Sequence, residues 1–398
     1  MAGRLPTTAI LSACLFLVGI SAAAVGPYRA IVAVDGLGMS NASYALIITV
    51  SSLASAAASP ILGHVSDHIA DRRWLVLACT ALGALAYGLV YLWRSDLAYI
   101  VAFCVVLPFG GALFSQSFSY SRTYYNEHEP RRAEFMMSVL RSLFSLAWVV
   151  APPIVGWIAS TYTVLSVFAA AALAHIVFGL LFALLFLEPS SRIVRPKRTE
   201  GATPEGWTIP VYRLVGIGGV WLVRIALAVH VTTLPLVLIK DFGGTLAQVG
   251  INASVAALIE VPMMLLWGFA AAKVSKEIII ACNALLYGVY MIAVFFAHSV
   301  QEVLLLQVLN GVATAALLSI TISYMQDAIR GRVGLSTSLM DVMTVGSNLA
   351  AAGLFALLAT ASSYVAVLAV AGVLSLVGAG VVGLSMVMRA RAGEVAKA

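Results

Sequence analysis

The feature that most constrains this chain is its succession of long apolar stretches, broken only by short clusters of charge, Gly and Pro. Twelve segments stand out, at 7–33, 42–65, 74–93, 97–121, 134–159, 162–187, 211–239, 246–272, 277–297, 300–326, 333–359 and 362–388. At 1.5 Å per helical residue, about 20 residues cross the roughly 30 Å of a bilayer's hydrocarbon. The runs are continuous rather than alternating, and bare backbone cannot face lipid, so each must be a helix. The fold class that follows is an all-α polytopic membrane protein with twelve transmembrane helices. With 62% of residues hydrophobic and 10% charged, an ordinary soluble enzyme is excluded. Arg4 followed by an apolar run and Ala22, Ala23 and Ala24 mimics a signal peptide. A run this long, with eleven more behind it, reads instead as an uncleaved first span.

One long polar interruption, 188–210, is rich in Arg, Pro, Thr and Gly and divides the chain into six-helix halves at 1–187 and 211–398. The net charge of +6 would suggest nucleic acid in a soluble protein. Here the cations sort by place. Of the 23 Lys and Arg, Arg29, Arg94 and Lys240 fall at one set of alternate span ends, and Arg141 and Arg224 lie within spans. All the others fall at the opposite ends, which puts both termini and the linker in the cytoplasm. The basic balance is therefore a topology signal, and no nucleic-acid partner is implied. Cys14, Cys79, Cys104 and Cys282 sit in apolar runs without CxxC or Cys/His spacing, so no disulfide, metal site or cofactor is expected.

The halves also echo each other. RAEFMMSVLRSLFSLAW from Arg132 aligns with RVGLSTSLMDVMTVGSN from Arg332, and each places one ionisable residue nine positions on, Arg141 and Asp341. Two turns further, on the same face, come Trp148 and Asn348. Internal repeats of this kind mark secondary transporters, whose sites lie near the midplane between the repeats.

The loop GHVSDHIADRR (63–73) resembles the signature of the major facilitator superfamily, carried by Gly63, Asp67, Arg72 and Arg73. Ala70 stands where Gly is usual, and Asp71 adds one residue before the basic pair, as in the sugar efflux transporter branch. VLRSLFSLAWVVAPPIVG (139–156), LIEVPMMLLWG (258–268), LLLQVLNG (304–311) and YMQDAIRGRVG (324–334) are similar to that branch too. The resemblance implies the major facilitator fold, with its two six-helix halves around a central cavity. It implies a monomeric, proton-linked exporter of the bacterial inner membrane, moving sugars or their analogues by alternating access. Asp67 and Arg72 would then form a gating latch at a helix end; the plainer alternative is that Arg72 and Arg73 only hold the loop inside. The matching loop after the eighth span, GFAAAKVSK (268–276), has Ala272 where the Asp would fall, so the latch should be asymmetric. APPIVG (151–156) is similar to a fifth-helix motif of exporters; Pro152, Pro153 and Gly156 make a bendable or tightly packed segment, with a static kink as the plainer alternative.

An ionisable group at bilayer depth costs about 2.5–3.5 kcal/mol, so each needs a partner or a cavity. Arg141, Arg224, Glu260 and Asp341 carry the functional case, and the resemblance places their helices around the cavity. Gln116, Trp148, Gln307, Asn310 and Asn348 supply the amides and the aromatic platform that suit a neutral polyol, with Arg141 and Arg224 as further substrate contacts. Glu260 and Asp341 are the candidate proton carriers, because a carboxylate in low dielectric is readily neutralised. Alternatively, Arg141–Asp341 and Arg224–Glu260 are fixed ion pairs. His175 reads as facing a neighbouring helix, and His230 as either a cavity residue or an interfacial one. There is no HExxH, GxSxG, Cys/His cluster or phosphate loop, so an intramembrane enzyme is not expected. The competing function is export of drugs or amphipathic compounds on the same fold.

Overall fold

The structure, a computed structural model, describes residues 7–193, 210–328 and 333–395. Arg4, Arg330, Arg332, Lys397, the Asp67 side chain and most of the 188–210 linker lie outside the described residues. All twelve apolar runs are helices long and apolar enough to cross a membrane, and no strand occurs among the described residues. By contacts the chain divides into two compact units, Met1–Thr199 with Thr245–Ser254, and Glu200–Gly244 with Val255–Ala398.

The first unit contains α1 (Thr7–Val25), α2 (Asn41–His68), α3 (Arg72–Trp93), α4 (Asp96–His128), α5 (Ala133–Thr161) and α6 (Ser166–Leu187). The expected run 7–33 is broken after Val25. Pro27 has no N–H to continue the ladder, and the chain goes on as a short turn, Arg29–Ile31, and a π-turn, Val32–Gly36. α4 outlasts its apolar run at 121, because its last turns are amphipathic: Tyr124 and Tyr125 are buried while Arg122, Asn126 and Glu127 face out. Counting apolar residues stops at Arg122; the helix does not.

The proline pair of α5 has a packing consequence. Pro153 cannot donate to the Val149 carbonyl four residues back, and the Ser254 hydroxyl donates to it instead. The Tyr28 hydroxyl reaches the Pro152 carbonyl at 2.9 Å and the Leu246 carbonyl at 3.2 Å. Gly250 makes this approach possible, since a Cβ there would collide with the Pro152 carbonyl and the Tyr28 hydroxyl. These contacts pack the proline segment closely on its neighbours. Gly250→Ala is accordingly expected to destabilise the fold by about 1–3 kcal/mol through overpacking, read as a lower midpoint in thermal unfolding of detergent-solubilised protein.

The second unit contains α7 (Val211–Asp241), α8 (Leu246–Ala270, whose first residues belong to the other unit), α9 (Lys276–Phe295), α10 (Val300–Ala328), α11 (Val333–Ala361) and α12 (Tyr364–Val395). Pro235 precedes a π-turn, Val237–Asp241, and Gly243 follows in the left-handed region at φ +63°. The first unit has the same order of features, Val32–Gly36 and then Gly38 at φ +72°. This is a structural repeat that the sequence alignment of the halves does not touch. Asp241 Oδ2 accepts from the Val365 backbone N–H at 2.7 Å and so caps the start of α12. α12 lies between α7 and α9, where Gly378 meets Gly219 and Gly372 meets Gly288. A Cβ at any of these four positions would fall 2.8–3.0 Å from the carbonyl of the opposing glycine. Small residues let the backbones close where lipid provides no hydrophobic drive between helices.

Candidate functional site

The signature loop is built around Asp71, the residue that lengthens it. Asp71 caps α3, accepting from the Arg73 backbone N–H at 3.0 Å. Its carboxylate also takes Arg73 Nη2 at 2.7 Å and Arg73 Nε at 3.0 Å, with both side chains nearly buried. Arg73 Nη1 donates onward to the Leu185 carbonyl and the Ser191 hydroxyl, each at 2.9 Å, and the guanidinium lies 4.4 Å above the Phe186 ring. Tyr120 donates to the Ser191 carbonyl, and Ile193 is fully buried beside this cluster. Burial pushes the Asp71 carboxyl up, but the Arg73 bonds outweigh it and hold the group below the usual carboxylate range. Arg73 thus joins the end of α6 and the first linker residues to α3. Arg72 does something different: it donates to Ser66 Oγ at 2.7 Å and Ser119 Oγ at 3.4 Å, bracing α2 against α4. Gly63 has open space where a side chain would be.

The matching loop of the second unit lacks the Asp at 272, yet its Lys is paired. Lys276 Nζ lies 2.6 Å from Asp327 Oδ2 on α10, and Glu277 pairs with Arg389 of α12 at 3.0 Å. Sequence reasoning looks for the carboxylate within the loop and so misses Asp327, which a different helix supplies.

Among the membrane-depth candidates of the first unit, Arg141 is exposed and lies 5.4 Å from the centre of the Phe118 ring. Phe114 packs, with its ring tilted, against Phe118 and Phe144, at 5.2 and 4.5 Å, to form an aromatic shelf beside it. Gln116 and Trp148 are half-buried, and the Trp148 ring covers Gly26, where α1 breaks. His175 is buried, bonded to the Ala171 carbonyl, and fills the space left by Gly83.

In the second unit, Arg224 donates to Thr344 Oγ1 at 2.6 Å and is within electrostatic reach of Asp341 one turn away on α11. Trp221 packs on Gly346, and Asn348 is half-buried on the same helix. Among the described residues no ion pair joins Arg224 to Glu260. The partner of Glu260 is a hydroxyl, Thr314 Oγ1, at 3.2 Å. Gly311, one turn before Thr314, holds α10 against Ile259 and the Ala256 carbonyl of α8, which places the carboxylate at this depth.

Behind Glu260 runs a buried polar chain. His230 Nε2 lies 3.0 Å from the Tyr290 hydroxyl, Gln307 Nε2 donates to that hydroxyl at 2.9 Å, and Asn310 Nδ2 donates to Gln307 Oε1 at 2.6 Å. Gln307 is fully buried and Asn310 is 4% exposed, so both amides are committed to the interior of the unit in this conformation. His230 Nε2 and the Tyr290 hydroxyl share one hydrogen bond, whose donor is set by the imidazole tautomer. No sequence pattern singles out Tyr290, and His230 carries little weight by itself. Only their meeting across α7, α9 and α10 gives them a role, and no local pattern encodes that. Thr314 is legible as sharing a face with Gln307 and Asn310.

The profile of the Major Facilitator Superfamily matches residues 11–229 and 216–397. The chain is similar to a Deinococcus radiodurans protein, at 28% identity over 85% of this chain and 88% of that one. It is also similar to sugar efflux transporter A of Dickeya chrysanthemi, at 26% identity over 86% and 87%, and to sugar efflux transporter B of Salmonella typhimurium, at 28% over 81% of each. Among solved structures, a POT family transporter superposes with TM-score 0.78 at 12% identity, covering 95% of both chains. The nucleoside transporter NupG superposes with TM-score 0.73 at 13% identity, covering 95% of this chain and 99% of that one. At such identities the structural likeness speaks for the fold alone.

Proposed function

The chain belongs to the Major Facilitator Superfamily, and from that premise we propose that it exports sugars or sugar analogues in exchange for protons by alternating access. It is a multi-pass membrane transporter and not an enzyme. In this reading it acts as a monomer in a bacterial inner membrane with both termini in the cytoplasm, and its halves are 1–187 and 211–398, joined by 188–210. The relatives that carry sugar efflux in their names support the substrate class.

The observation that carries the proton part is Glu260. It is a carboxylate at bilayer depth whose partner among the described residues is a hydroxyl rather than a cation. Held ionised, it would bear the cost of an unpaired intramembrane charge; it avoids that by taking up a proton at one stage of the cycle. Asp341, facing Arg224, is the second carboxylate of the pathway. Arg141 on its aromatic shelf is the principal substrate contact, and Gln116, Trp148, Asn348 and Arg224 are further substrate contacts. Gln307 and Asn310 complete the set from behind; Thr314, bonded to the Asn310 backbone carbonyl, is their connection to Glu260. Asp67, with Gly63, Arg72 and Arg73, belongs to the gate. The aromatic shelf also favours a second reading, export of amphipathic aromatic compounds.

Counterflow in proteoliposomes separates the two. Labelled neutral mono- and disaccharides are expected to exchange, and unlabelled sugars to compete, with a panel of amphipathic drugs having little effect. Drug exchange that no sugar inhibits would overturn the sugar assignment.

A further inference from the structure

Thr314 has one hydroxyl hydrogen and three acceptors within reach. They are the Asn310 carbonyl at 2.8 Å, the Gly311 carbonyl at 3.5 Å and Glu260 Oε2 at 3.2 Å. A carbonyl cannot donate. If the hydrogen points to Asn310, the usual bond of a helical Thr to its own preceding turn, then the contact with Glu260 needs a proton from the carboxyl. If Glu260 is ionised, the hydrogen turns to the carboxylate, the stronger acceptor, and the Asn310 carbonyl loses its second partner. We propose that the Thr314 hydroxyl is a two-position switch that registers the protonation state of Glu260 and passes it to the Asn310–Thr314 turn of α10. Thr314 is a positioning residue: it keeps its own hydrogen, while the transported proton arrives at and leaves from Glu260. The inference rests on Glu260 being the proton carrier.

The surroundings suit such a device. Gly311 fixes the distance between α8 and α10, so the hydroxyl rotates inside a rigid frame. Asn310 is held from the other side by Gln307, Tyr290 and His230, and the switch therefore acts on an anchored turn. The ionisable groups facing this region are few. α9 contributes Tyr287, within electrostatic reach of Glu260, and Tyr290. α7 contributes His230, occupied by Tyr290, and Arg224, occupied by Thr344. From α11, Asp341 faces Arg224. Tyr287 acts on Glu260 only through space, and among the described residues the Thr314 hydroxyl is the side-chain group that bonds the carboxyl directly.

The test uses the full chain reconstituted in lipid, with Thr314→Val (same shape, no hydroxyl), Thr314→Ser (hydroxyl kept) and Glu260→Gln. An infrared difference spectrum between acid and alkaline pH should contain a protonated-carboxyl stretch that Glu260→Gln removes. Thr314→Val is expected to move that band to higher frequency, because the carboxyl loses its partner, and Thr314→Ser to restore it. In parallel, the pH midpoint of sugar exchange should move to higher pH in Thr314→Val by about half a unit to one unit, since a bond to a charged group is worth more than one to a neutral group. A band unmoved in Thr314→Val, or unrestored in Thr314→Ser, overturns the switch. A band that survives Glu260→Gln instead removes Glu260 as proton carrier, so the two failures are told apart without any transport measurement.

Discussion

Arg73→Ala is expected to lower folding stability by about 3–5 kcal/mol, the cost of leaving one partner of a buried ion pair uncompensated. The figure is large because Arg73 is not a surface cation. It is nearly buried with Asp71, and its side chain makes five hydrogen bonds to Asp71, Leu185 and Ser191. Removing it strands the Asp71 carboxylate and releases both the end of α6 and the start of the linker. Lysine cannot substitute, because it lacks the fork that reaches two acceptors at once, so Arg73→Lys should recover only part of the loss. Thermal unfolding in detergent, followed by tryptophan fluorescence, checks the order wild type, then Lys, then Ala. The pH dependence has a definite sign. Asp71 is held below the usual carboxylate range, so its contribution is complete above about pH 4 and is lost as pH falls through the folded-state value. Between pH 5 and 8 the wild type should show no loss from this source, and Asp71→Asn should lack the acid-side decline while being less stable throughout. Arg72→Ala, which removes hydroxyl bonds only, should cost far less.

The second large effect is functional. With one proton exchanged per sugar, a gradient of one pH unit supports about tenfold accumulation against the sugar gradient. Glu260→Gln keeps the size of the side chain and a polar group for Thr314, but it carries no titratable proton. Gradient-driven accumulation should fall to none, while sugar exchange without net proton movement should persist within a few-fold of wild type. Loss of both activities together would indicate a binding role; retention of both would remove Glu260 from the coupling.

How far the sequence carries depends on which physical signal each element uses. Hydropathy is additive along the chain, and so twelve spans are legible to within a few residues at most ends. The backbone devices inside them are not: the break at Pro27 and the π-turns at Val32–Gly36 and Val237–Asp241 change hydrogen bonding without changing hydropathy. Glu260 is legible because a charge in an apolar run is conspicuous. Its partner is not: Thr314 reads as sharing a face with Gln307 and Asn310, and nothing ties it to Glu260 until α10 packs on α8 through Gly311. Asp71 is visible as an insertion in the signature loop, but its purpose depends on Ser191, more than a hundred residues away. Gln307 and Asn310 read as open amides, and in this conformation they face inward toward Tyr290 and each other.

The claim on which the rest turns is that sugar and protons move in opposite directions through this chain, with Glu260 as the coupling carboxylate. Proteoliposomes with a trapped pH-sensitive dye test it directly. A neutral sugar placed on one side, with no initial pH gradient, should drive protons toward that side through wild-type protein, and Glu260→Gln should abolish the pH signal while sugar still exchanges. Sugar movement through the wild type with no pH change, or the same pH signal from Glu260→Gln, would contradict it.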